Sequence, residues 1–166
     1  MNNLLNKEAV QRVKNKLKEF DNSLEVVVLD NSARTANDAA ESLKTEVGSI
    51  VKSLLLRTKT SFLLCLVAGD KRCSLNKIKK LLNQKDVSMA NADQVKEITG
   101  FTIGGVSPIG HLNKIDIFID ESLKRFSNVF AAAGHPNSIF KISFEKLCKI
   151  TNGLIKDISE WKILNL

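Results

Sequence analysis

The chain has 166 residues, 43% hydrophobic and 26% charged, with 25 Lys and Arg against 18 Asp and Glu for a formal net charge of +7. This length and composition suit one domain, residues 1–166, with a sizeable core, and exclude a disordered tail. No apolar run approaches the ~20 residues of a membrane helix, and the N-terminal residues lack the charged-then-apolar layout of a secretory signal, so the expected setting is the cytoplasm with no membrane partner.

Residues 5–20 carry Val10, Val13, Leu17 and Phe20 at helical spacing, which predicts an amphipathic helix. Residues 24–29 (LEVVVL) read as a strand. Residues 35–38 (TAND) resemble a capping box opening a short helix through Ala39, Ala40 and Leu43. Residues 49–57 and 61–68 are predicted strands, with a turn after them at Gly69-Asp70. Ser74 is placed to cap a helix carrying Leu75, Ile78, Leu81 and Leu82; next come a short strand over 87–89 and a helix over 91–98, which Gly100 is placed to end. Strands are expected over 115–119, 128–133 and 139–142, with a helix from Ser143 to Ile150 and a return to the sheet over 154–158. Asp120 can cap the residues after it. Strands and helices mix without strict alternation and without an internal repeat. The predicted class is α+β, a mixed, mostly antiparallel sheet or partial barrel surrounded by helices.

The positive surplus favours an anionic partner such as nucleic acid, although the few aromatics form no run that marks a base-stacking surface. Cys65, Cys73 and Cys148 stand apart, with no C-x-x-C pair, and His111 and His135 are the sole histidines. That pattern offers neither a disulfide framework nor a metal site, and no cofactor is expected. Cys65, within an apolar strand, reads as a small core residue. A Ser/His/Asp set lacks a Gly-x-Ser-x-Gly elbow.

Two segments are better candidates for chemistry. In residues 99–111 (TGFTIGGVSPIGH), Gly104 and Gly105 let another molecule approach the backbone, and Pro108 makes the loop stiff. The loop is neither a Walker loop nor a dinucleotide fingerprint, and spacing alone leaves it as a plain turn or a main-chain ligand cradle. In strand 49–57, Lys52 shares a face with Ile50, Leu54 and Leu56, whereas Ser53 sits with Val51 and Leu55. A lysine so placed either snorkels to water or lines a pocket and meets an anion.

Taken in order, residues 35–40 (TANDAA), 50–54 (IVKSL), Gly69-Asp70, Met89-Ala90, 95–110, Ile119-Asp120 with Ser122-Leu123, and 131–134 (AAAG) resemble the YbaK/ProX-type family of aminoacyl-tRNA deacylases. The same segments are similar to the editing insertion domain of bacterial prolyl-tRNA synthetases. The resemblance spans roughly residues 25 to 158 and rests on the ordered set rather than on any one motif. It implies a trans-editing hydrolase that cleaves the ester of mischarged tRNA at the 3′ acceptor end, with prolyl-tRNA synthetase as a candidate partner. Lys52 takes the position of the family's active-site lysine, and Gly104 to Pro108 that of its G-x-x-x-P loop. On that basis Lys52, Gly104 and Gly105 are expected in catalysis, and Ser53, Val106, Ser107, Pro108, Gly110, Ala132 and His135 in substrate binding. The cysteine-clearing branch typically has Thr where this chain has Ser53 and Ser where it has Ala132, and the turn 135–137 (HPN) departs from that branch too. The edited residue on tRNA(Pro) is therefore open among Cys, Ala and other small amino acids. The rival from another class is a non-catalytic module that binds the tRNA acceptor end or a synthetase.

Overall fold

The structure, a computed structural model, describes residues 3–31 and 33–162. Its helices are α1 (Glu8–Phe20), α2 (Ala36–Leu43), α3 (Leu75–Leu82), α4 (Ala92–Thr99) and α5 (Phe144–Thr151). The strands are β1 (Val26–Val28), β2 (Ile50–Arg57), β3 (Phe62–Ala68), β4 (Lys71–Cys73), β5 (Ser88–Met89), β6 (Asp116–Asp120), β7 (Asn128–Ala132), β8 (Ser138–Ser143), β9 (Leu154–Lys156) and β10 (Ser159–Trp161). Helix α1 starts after a short 3-10 turn, three residues later than its apolar spacing suggests, because Lys7 at its N-cap offers no side-chain acceptor. The predicted caps Thr35, Ser74 and Ser143, together with Asn91, which was expected inside its helix, each accept from a backbone N–H one turn on. The reciprocal capping box forms at Asn91 and Gln94. Gly100, at φ 80°, ends α4 as predicted.

Eight strands make one mixed sheet in the order β1-β8-β7-β2-β3-β6-β9, with β5 also on β2. Pairing is parallel between β2 and β7, β3 and β6, and β6 and β9, and antiparallel elsewhere. This is the expected α+β arrangement, with β1 and β9 as open ends rather than a closed barrel. Alternation along the strands separates two cores. On one face Val51, Leu55, Leu64, Leu66, Ile119 and Ala131 pack with Val13 and Leu17 of α1 and Leu147 of α5. On the other, Leu56, Leu63, Cys65, Val67 and Phe118 pack with Ile78 of α3, and Ile50 and Ile139 with α2. Sequence pattern did not indicate a second, two-stranded sheet, β10 on β4. No helix among the described residues is long and apolar enough to cross a membrane.

Candidate active site

The site begins as a gap in the sheet. Strand β7 pairs with β2 only at Ile50 and Val51, and β5 takes up the same edge only at Leu56 and Arg57. Between them, residues 52–55 pair with β3 alone. The carbonyl of Leu55 points to the gap edge, where it accepts from Ala90 N–H at 3.0 Å, and that of Ile50 points the other way, to Gly69 N–H at 2.8 Å. Alternation then aims the main-chain N–H and C=O of Ser53 into the gap. The Ser53 hydroxyl is buried and has no hydrogen-bond partner among the described residues. A sheet position thus presents unused polar groups to a cavity, an arrangement that buried polar groups rarely tolerate without a ligand or water.

A cleft of about 390 Å³ occupies this gap. Strand β2 forms its floor from Ile50 to Leu55; Ala33 to Asn37 at the start of α2, Met89 and Ala90, Ile103, Gly104 and Val106, and Ala132, Pro136, Ser138 and Ile139 supply the walls. Its lining is chiefly apolar, with Lys52, Arg34 and Lys162 as cations. The Lys52 ammonium donates to the Lys71 carbonyl on β4. Burial pushes its pKa below the ordinary lysine range; Lys162 adds to that effect, and Cys73 and Asp70 oppose it. The neighbouring Cys73 thiol, with burial, holds the Cys65 thiol well above the usual range.

The glycine loop is held from both sides. Gly104 has φ +97°, a conformation that L side chains rarely adopt. At Gly105 an added Cβ would lie 2.9 Å from the His135 backbone, so two main chains pack there with nothing between. The Gly105 N–H is spent on Thr102 O at 3.0 Å. Ser107 is fully buried, its hydroxyl accepting from Ile109 N–H, and its carbonyl lies 2.7 Å from His111 Nε2. Burial lowers the His111 pKa, which keeps the neutral ring against this carbonyl. Arg12 of α1 donates to Gly110 O at 2.9 Å and Gly100 O at 3.0 Å while stacking over Phe101, so one guanidinium closes the loop at its two ends.

Of the expected positions, Lys52, Ser53, Gly104, Val106 and Ala132 line one cleft. Gly105, Ser107, Pro108 and Gly110 do not line it: the first three are buried within the loop, and Gly110 is held by Arg12. The His135 ring is occupied in its own turn: Nδ1 accepts from Asn137 N–H at 3.0 Å. Residues 30–150 match the aminoacyl-tRNA editing domain. The chain belongs to that family.

Relatives include proteins of similar length and a segment of a longer one. A protein of Enterococcus faecalis provisionally named Cys-tRNA(Pro)/Cys-tRNA(Cys) deacylase EbsC is 29% identical over 75% of this chain and 77% of its own. The proline–tRNA ligase of Thermosipho africanus is 34% identical over 66% of this chain, a match that spans 19% of the ligase. The crystal structure of a protein described provisionally as a trans-editing enzyme for prolyl tRNA synthetase superposes with a TM-score of 0.87 at 35% identity, covering 93% of this chain and 98% of that one. Sequence reading missed Arg12, Arg34, Ile103, Ser138 and Lys162 in this editing domain. Ile103 stands within the matching segment 95–110 without having been singled out there; the other four lie outside every matching segment and reach the loop or the cleft through tertiary structure.

Proposed function

We propose that this editing domain hydrolyses, in trans, the ester of a mischarged aminoacyl-tRNA, with tRNA(Pro) carrying a small amino acid such as Cys or Ala as substrate and the cytoplasm as its setting. One observation carries the reading: in a chain of this family, Lys52 and the rigid Gly104 loop face one cleft across a break in the sheet. An aminoacyl ester is already activated, so holding it beside a water and stabilising developing charge suffices without a side-chain nucleophile. Lys52 would anchor the acceptor end, and the loop would fix the ester's direction. The main-chain groups and hydroxyl of Ser53 would meet the amino acid's polar atoms, while Val51, Leu55, Val106 and Ala132 limit its size. Differences of one methylene in such a pocket are worth only ~1–3 kcal/mol, so several small residues compete for it.

The test is single-turnover deacylation across a panel of mischarged tRNAs. Wild-type protein should release free amino acid, and Lys52→Ala, with an unchanged circular dichroism spectrum, should be slower by about 100-fold or more. Equal rates would remove Lys52 from the chemistry. Tight binding of charged tRNA without release by wild-type protein would replace the hydrolase with an acceptor-end binding module.

A further inference from the structure

Trp161 is the only tryptophan of the chain, and it is 61% exposed. Tryptophan is large and usually well buried, so an open indole on a short strand calls for an explanation. The strand that carries it is firmly held. Ser159, Glu160 and Trp161 pair with Cys73, Arg72 and Lys71 of β4. Arg72 bridges to Glu160 at 2.8 Å, and Lys77 donates to Ser159 O at 2.7 Å. Asp120, fully buried, accepts from Ile158 N–H at 2.9 Å and Ser159 Oγ at 2.7 Å.

Two cations attend the ring. The Lys71 ammonium lies 4.4 Å from its centroid and the Arg125 guanidinium 5.3 Å, the latter fixed by a two-pronged pair with Asp70 at 2.8 Å. Trp161 stands next to groups that belong to the cleft. Its strand partner Lys71 supplies the carbonyl that receives the Lys52 ammonium, and its chain neighbour Lys162 lines the cleft itself. Strand partners sit about 5 Å apart, so Trp161 stands one strand position from the carbonyl that holds Lys52.

From this juxtaposition we infer that Trp161 is a stacking platform for an unpaired base of the RNA 3′ end, with Lys71 and Lys162 taking the adjoining phosphates. The inference rests on the proposed entry of the acceptor end into the cleft at Lys52. Stacking tolerates any base, since each has a π face, and nearby lysines supply attraction to the backbone. A protein partner would ask for an apolar surround, whereas the residues beside Trp161 along the chain and on β4 are Glu160, Lys162, Lys71 and Arg72. The platform holds the strand short of the reacting end and so serves binding rather than chemistry.

The single tryptophan is its own reporter. An uncharged RNA hairpin with a short unpaired 3′ tail should quench Trp161 emission to saturation in wild-type protein; the same hairpin with a blunt end should not. By anisotropy of the labelled hairpin, Trp161→Ala should bind the tailed RNA about tenfold more weakly, with Trp161→Phe restoring most of the loss. With mischarged tRNA, Trp161→Ala should raise KM and leave kcat unchanged. Quenching that ignores the tail, or full affinity in Trp161→Ala, overturns the platform, as does a fall in kcat at constant KM. Tail-dependent quenching without any amino acid released would instead sink the hydrolase reading and leave the platform standing. Hydrolysis with an unaltered KM in Trp161→Ala would do the reverse.

Discussion

Ser53 and Asp120 are both polar side chains within the sheet, yet their circumstances are opposite. Asp120 is saturated: burial would raise its pKa, but hydrogen bonds from Ser122, Ile158 and Ser159 outweigh it and hold the carboxyl below the usual range. Ser53 has a buried hydroxyl with no partner among the described residues, which costs the fold roughly 1 kcal/mol or more. Removing it should therefore help the protein stand and hinder it from working. Ser53→Ala is expected to gain about 1 kcal/mol in urea denaturation. Its deacylation rate should fall in the same preparation. A variant that is both less stable and fully active would show that the hydroxyl makes no contact with substrate.

Among the elements, β10 depends most on one residue. Asp120 reaches from the end of β6 to the start of β10, so its carboxylate joins the main sheet to the small one. Asp120→Ala should cost about 3 kcal/mol, since it strands several buried donors at once. The pH dependence is set by the direction of the shift. The folded-state pKa lies below the unfolded value of about 3.9, so the contribution is complete above pH ~4 and is lost as pH falls through the folded value. Acid denaturation of wild type should show this loss below pH ~4, and Asp120→Ala should flatten it. Most elements were legible in the sequence because period and caps agreed, as at the start of α3, marked by Ser74, and the end of α4, marked by Gly100. The expected span 24–29 shrank to β1 because only Val26 to Val28 find a partner, in β8. The pairing of β4 with β10 was not legible: each has three residues, too few for a period, and Arg72 and Glu160 are 88 positions apart. For the cleft, Lys52, Ser53, Gly104, Val106 and Ala132 came from resemblance, not from spacing. Lys162 escaped because only that missed strand pairing brings it there.

On the scale of the molecule, the net charge of +7 acquires an orientation, because Arg34, Lys52 and Lys162 converge on one opening. A polyanion entering there releases counterions, so its affinity should track salt more steeply than that of a small neutral ester. If three phosphates are engaged, KM for charged tRNA should rise roughly 40-fold between about 50 and about 200 mM salt, with kcat little changed. A KM insensitive to salt would place the RNA elsewhere. The grip of Arg12 on Gly100 and Gly110 has a further consequence. The stretch by which the family is recognised, residues 30–150, omits both that arginine and the tryptophan strand. A fragment trimmed to those limits would retain every diagnostic letter yet arrive with a slack cradle and no doorstep, so the portion by which the chain is classified is shorter than the portion that must be expressed for it to work.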